Sequence, residues 1–378
     1  MKKILRILIL ILIMWGFPTF ALFYINPGLG ALTSYLTILL LLVYFVFFVK
    51  EYRKPLLPFI FLGISYYAIS GLKFLPELFV EEYLVYFIKF LIVVVCCTEL
   101  AKDSKIEEIF TVTIFGALSI VIHGAFFPDI DAHFGANYGR FSGFYLNPNY
   151  AAITCLVGFS ISYGVKNIPL RLVGQLVFTF AGILTLSRYF VLIWLLTNLV
   201  AVFMNRKNLT APIIGAIVLS FVLISGAIKL QPSRFAALQS IFSDEEVKTE
   251  TINDDSRTDT WAQFTDIIMD QPFFGNGFRN LQGFGFDLDT GVHNLYLLVI
   301  GEAGIIAFAF LMYIVLFLLI KSLQHYHHNF YYIFLTITLA TSFLVGHTYF
   351  EKYSTIFISI FLYLKLLDHD NEKKELSE

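Results

Sequence analysis

The sequence predicts an all-α polytopic membrane protein, and three observations predict it. Of 378 residues, 58% are hydrophobic and only 14% are charged, where an ordinary soluble domain carries about 25% charged residues. Apolar runs of the roughly 20 residues that a helix needs to cross a hydrocarbon core of about 30 Å occur about twelve times. Lys and Arg are concentrated in every second connection between those runs. This composition excludes a soluble globular enzyme. The formal net charge of −2 leaves no basic field to hold nucleic acid, so no nucleic-acid partner is expected.

The runs lie near 4–25, 29–49, 56–75, 83–99, 106–127, 149–165, 169–187, 189–204, 211–230, 293–320, 329–346 and 353–367. The first opens with Lys2, Lys3 and Arg6 and continues through Tyr24 with no small-x-small cleavage site, so it reads as an uncleaved membrane helix rather than a signal peptide. The fourth carries Lys89 near its middle. Cys96, Cys97 and Cys155 sit inside apolar runs and read as small core residues, with neither a disulfide framework nor a zinc spacing.

With the N-terminus inside, the cytoplasmic connections hold sixteen Lys and Arg: Lys2, Lys3, Arg6, Lys50, Arg53, Lys54, Lys102, Lys105, Lys166, Arg171, Arg206, Lys207, Lys321, Lys365, Lys373 and Lys374. The short outer connections hold four, Lys73, Arg140, Arg188 and Lys352. Both termini are therefore expected in the cytoplasm, with residues 368–378 as a solvated tail. The chain reads as one membrane domain, 1–378, with a first outer loop at 128–148 and a large extracytoplasmic loop at 231–292 between the ninth and tenth helices. These long polar segments share the outer face, so function is expected there. No internal repeat is visible, which argues against a transporter built from repeats.

Within the first outer loop, Asn147 and Pro148 suit the N-cap and first turn of a helix. Arg140 lies beside the bilayer, where it either binds an anion in bidentate fashion or reaches lipid headgroups. Arg188 falls in the tight link Leu184–Phe190 at the outer boundary, a costly place for a charge; it faces a ligand or pairs with a loop carboxylate. In the large loop, Ser256 and Asp259 fit a capping box. They open a helix with Trp261, Phe264, Ile267 and Ile268 on one face, ended by Pro272, which predicts a short amphipathic helix on the outer membrane surface with Arg257 in its first turn. Gly275-Asn-Gly277 makes a turn. His293 stands at the mouth of the tenth helix, as a base or as an interfacial residue, and Asn294 orients a sugar or fixes the imidazole. The acids Asp244, Glu245, Glu246, Glu250, Asp254, Asp255, Asp287 and Asp289 fit no cation-binding spacing and read as solvated surface. His347 and Glu351 are candidate supporting residues.

Three arginines and one histidine from four segments thus share a face otherwise short of positive charge. A lipid-linked diphosphate is the economical ligand. The ordered set of Gly139-Arg140-Phe-Ser-Gly143-Phe with Asn147-Pro-Asn149, Leu186-Ser187-Arg188, Asp255-Ser-Arg257 with Trp261, Pro272 to Gly277, His293-Asn294 with Tyr296, and Gly301-Glu302-Ala-Gly304 resembles the O-antigen ligase and O-antigen polymerase superfamily over roughly residues 130–310.

The resemblance implies an inverting, metal-independent glycosyltransferase without cofactor in the bacterial cytoplasmic membrane, its active site facing the periplasm or cell exterior. The donor is a glycan on undecaprenyl diphosphate; the acceptor is lipid A core, a growing glycan or a protein. It implies that Arg140, Arg188 and Arg257 bind diphosphate, that His293 and Arg188 are catalytic, and that Asn149 and Asn294 support them. The rival reading is a lipid-linked oligosaccharide flippase or other multi-helix transporter, which would place ionisable residues at mid-membrane.

Overall fold

The computed structural model describes residues 1–73, 76–130, 139–225, 257–283, 290–327 and 329–375. These are helical: α1 (Lys2–Met14), α2 (Phe17–Tyr24), α3 (Pro27–Phe48), α4 (Leu57–Ser70), α5 (Pro76–Asp103), α6 (Ile106–Phe126), α7 (Pro148–Ser162), α8 (Ile168–Leu184), α9 (Arg188–Met204), α10 (Thr210–Ser225), α11 (Arg257–Asp270), α12 (Leu295–His325), α13 (Tyr331–Ser342) and α14 (Tyr353–Glu375). The sole β-type pairing among the described residues is the antiparallel bridge Gln282–Gly291.

Each apolar run becomes helix, with three differences. The first run is two helices, α1 and α2, bent by 57°, because Gly16 adopts φ +61° between them. The Trp15 indole N–H fixes this hinge by donating to the Val112 carbonyl at 2.8 Å, while its ring stacks on Phe144. The fourth run lengthens to the 28 residues of α5. The last run continues through the expected solvated tail as far as Glu375, because the acids there are paired: Asp368 with Arg53, and Asp370 with Lys321 at 2.6 Å and His325 at 2.8 Å. Residues 226–230 of the ninth run, Ser256 of the capping box and the acids 244–255, 287 and 289 lie outside the described residues.

Four described helical segments are long and apolar enough to cross a membrane: α3, residues 83–103 of α5, α6 and α12. The bent α1–α2 pair makes a fifth if counted as one span. Leu192, Leu195, Leu199 and Phe203 of α9 are each more than half exposed on one helical stripe, a patch that water would penalise and acyl chains do not. This is an integral membrane protein. Lys89 donates to the Ser34 hydroxyl of α3 at 3.2 Å and lies over the Tyr35 ring, which gives the intramembrane charge a packing partner. All three cysteines are buried thiols.

In the helix packing, α12 lies against α4, α7 against α8 and α13, and α14 along α5. One feature positions the site: α12 is broken at Gly304, with φ +74° and ψ −171°. The break frees backbone groups that residues 272–277 then satisfy. Asn276 N–H donates to Gly301 O at 2.7 Å, Gly277 N–H to Glu302 O at 3.1 Å, and Ile305 N–H to Pro272 O at 3.0 Å. The large-loop segment is therefore threaded into the helix rather than resting on it. A Cβ on Gly275 would collide with Glu302 O, and one on Gly304 with Phe273 O, so the close approach requires glycine at both positions.

Candidate anion-binding site

Four helix beginnings carry the predicted residues. At α7, Pro148 occupies the first turn and the Asn147 side chain accepts from Asn149 N–H at 2.8 Å, the expected cap. Only Thr185, Leu186 and Ser187 separate α8 from α9, so Arg188 is the first residue of α9; Leu186 takes the left-handed conformation, φ +47°, to make so tight a link. Arg257 opens α11, which buries Phe264 and Ile268 one turn apart. Thus the expected apolar face exists, and it packs on α12. Asn294 caps α12 by accepting from Tyr296 N–H at 2.9 Å and Leu297 N–H at 3.2 Å. His293, just ahead of that cap, is held at φ +46°, a conformation that costs a non-glycine residue about 1–3 kcal/mol.

These beginnings meet around one cavity of about 340 Å³. Arg140, Arg188, Arg257, His293 and Asn149 all line it, with Asn147, Pro148, Tyr150, Ser187, Tyr189, Thr260, Trp261 and Val345. Asn294 does not; its side chain is buried in the cap. A helix N-terminus carries roughly half a positive charge and unsatisfied N–H groups. Three of them, at α7, α9 and α11, place residues in the cavity wall beside three guanidinium groups, an arrangement that favours an anion; at α12 the Leu295, Tyr296 and Leu297 N–H groups are instead taken up by Phe343 O and Asn294 Oδ1.

Arg140 is 5% exposed. Its Nε donates to Thr185 O at 3.0 Å and its Nη2 to Asn149 Oδ1 at 3.3 Å, so one guanidinium ties the α8–α9 link to the start of α7. Asn149 Oδ1 also accepts from the Ser187 hydroxyl at 3.2 Å, so one side-chain oxygen joins Arg140 and Ser187. Arg188 is exposed to the cavity. Arg257 Nη1 donates to the His293 carbonyl at 3.5 Å, joining the large-loop helix to the mouth of α12. Trp261 Nε1 lies buried without a hydrogen-bond partner, a donor left over for a ligand.

His347, on the segment between α13 and α14, packs its ring 4.9 Å from that of His293. Burial, and then the neighbouring His293, push His347 down to about 3, so it is neutral at any working pH. Its segment is anchored by Arg279–Glu351 at 3.3 Å and by the Tyr150 and Thr348 hydroxyls, which hydrogen-bond each other. Among the described residues no three His, Cys, Asp or Glu side chains are grouped to hold a metal, and His325 on the far side pairs with Asp370 instead.

Residues 174–312 match the family model described as O-antigen ligase. Over this segment the chain is similar to the O-antigen ligase family. No curated protein and no solved structure matches it. The O-antigen ligase segment runs from within α8 to the middle of α12 and contains Arg188, Arg257, His293 and Asn294. Arg140 and Asn149 precede it, yet they line the same cavity. The superfamily implies a membrane enzyme of the glycosyltransferase type acting in surface-polysaccharide biosynthesis. Sequence reasoning missed Tyr150, Tyr189 and Thr260 as cavity walls. They sit one to three residues into helices whose first residues already stand out, and that placement was the available signal.

Proposed function

We propose that this protein transfers an oligo- or polysaccharide from an undecaprenyl diphosphate carrier to an acceptor hydroxyl on the outer face of the bacterial cytoplasmic membrane. The observation that carries the proposal is the convergence of Arg140, Arg188, Arg257 and His293, with the beginnings of α7, α9 and α11, on one cavity of a chain similar to the O-antigen ligase family. The arginines bind the diphosphate. His293 takes the proton of the acceptor hydroxyl as its oxygen attacks the anomeric carbon, and the carbon–oxygen bond to phosphate breaks with its electron pair leaving on the diphosphate. A single displacement of this kind inverts the anomeric configuration.

General-base help contributes about 10²- to 10⁴-fold. Stabilising the charge that develops on the diphosphate contributes more, because the cavity's donors are already in place. Guanidinium groups and helix N-termini do here what a divalent cation does in other phosphate sites, so the reaction is proposed to need no metal. We further propose twelve spans with both termini in the cytoplasm. Lys2–Asp103, Arg6–Glu108 and Arg53–Asp368 support this, since each joins segments that the charge distribution places inside. The donor's lipid tail lies against the membrane helices, and the acceptor is lipid A core, a growing glycan or a protein.

The test is transfer of labelled glycan from undecaprenyl diphosphate-glycan to candidate acceptors by the reconstituted protein in chelator, comparing wild type with Arg188→Ala and His293→Ala. Turnover that collapses in both folded variants is expected. Unchanged turnover overturns the residue roles, and failure of the protein to bind the donor overturns the function.

A further inference from the structure

Glu302 is fully buried in α12, just ahead of the break at Gly304 and outside the cavity wall. Its carboxylate accepts four hydrogen bonds: one from the Tyr66 hydroxyl of α4, one from Leu281 N–H at 3.1 Å, and two from Gln282 Nε2, at 3.3 Å to one oxygen and 3.1 Å to the other. Each partner can supply a hydrogen to the carboxyl oxygens, so the buried acid is fully bonded. So concentrated a set of bonds on one buried acid is costly to assemble unless fully satisfied. Three of the four bonds come from Leu281 and Gln282.

Those two residues lead directly to His293. Gln282 forms the antiparallel bridge with Gly291, and Val292 N–H donates to Leu281 O at 2.9 Å. The next residue is His293 at φ +46°, followed by the Asn294 cap. Space is short on the other side as well: a Cβ on Gly291 would lie 3.1 Å from His347 Cε1. The chain entering α12 is therefore pressed between a strand bridge held by Glu302 and the His347 ring. A left-handed histidine persists only where its surroundings fix it, and the Glu302–Leu281–Gln282 contacts provide that fixation. We propose that Glu302 is a positioning residue, which through Gln282 and Leu281 locks the segment that aims His293 into the cavity. This rests on the proposed role of His293 as base.

Three variants separate positioning from general stability. Gln282→Leu removes the side-chain bridge and leaves the acid in place. Tyr66→Phe removes the shortest of the bonds to Glu302, at 2.5 Å, which does not lead to His293. Glu302→Gln keeps the shape and swaps one acceptor for a donor. Gln282→Leu and Glu302→Gln are expected to lower kcat by about 10²-fold, the effect of misplacing a reacting group by about 1 Å, with KM for the carrier-linked donor unchanged. Tyr66→Phe is expected to keep wild-type kcat. Hydrogen exchange at the Val292 amide, which needs no turnover, is expected to quicken in Gln282→Leu and not in Tyr66→Phe. Wild-type kcat in Gln282→Leu, or an equal fall in Tyr66→Phe, overturns the role of Glu302. A fully active His293→Ala instead overturns the reading on which it rests, whatever the exchange shows.

Discussion

Lowering the pH destabilises this protein through His347, and the size of the effect follows from its surroundings. In the folded state burial, followed by the adjacent His293, depresses the imidazole from 6.5 to about 3. In the unfolded chain it regains its ordinary value near 6.5. Between those two values the unfolded state binds a proton and the folded state does not, so stability rises with pH across this window. The contribution is complete above pH 6.5 and is lost progressively as pH falls toward 3. At pH 5, about 1.5 pH units below the ordinary value, the loss is about 2 kcal/mol, at about 1.36 kcal/mol per pH unit. His347→Phe keeps a ring against His293 and cannot titrate, and His347 Nδ1 has no hydrogen bond to lose. The assay is unfolding by SDS titration in mixed micelles at pH 8 and pH 5. Wild type should lose about 2 kcal/mol more than His347→Phe over that interval. Identical pH dependence in the two proteins refutes the assignment of His347 as a buried neutral imidazole.

Arg140→Lys should weaken donor binding although the charge is kept. One ammonium cannot reach both Thr185 O and Asn149 Oδ1, and an unsatisfied buried acceptor costs about 1–3 kcal/mol, or roughly 5- to 150-fold in affinity measured by donor titration. Gly304→Ala should fail to accumulate folded protein in the membrane, since its Cβ would collide with Phe273 O at a φ of +74°; normal yield and melting on a size-exclusion assay would contradict the threaded helix break. Asn294→Ala should lower stability by about 1 kcal/mol while Asn294→Asp restores it, because the Asn294 side chain accepts from two helix N–H groups. A turnover defect in Asn294→Asp without loss of stability would instead point to substrate contact.

Much of this was legible in the sequence, for definable reasons. Apolar length and the placement of Lys and Arg locate helices because a bilayer penalises unsatisfied backbone and charge so heavily. Arg188, Arg257 and His293 stood out as charged or titratable groups at helix starts, and Arg140 as a guanidinium in the loop ahead of α7. What stayed hidden depends on contacts distant in sequence. Asn294 looks like a ligand-orienting residue until its two N–H partners are seen. Nothing local to His347 says that its ring meets His293. Nor does the string Gly301-Glu302-Ala-Gly304 reveal that residues 272–277 enter the helix there. The charged end of the chain misled for the same reason: Asp368 and Asp370 look solvated until Arg53 and Lys321 arrive from elsewhere.

The convergence of the α7, α9 and α11 beginnings on one cavity has a consequence for how the site can change. Roughly half a charge from each of the three helices whose first turns line the cavity sums to about one and a half positive charges that belong to peptide groups, not to side chains. No point mutation, lysine modification or shift of pH removes them. The arginines therefore add to a field that the backbone already supplies, so substituting one of them is expected to impair the proposed turnover without removing the cavity's preference for an anion.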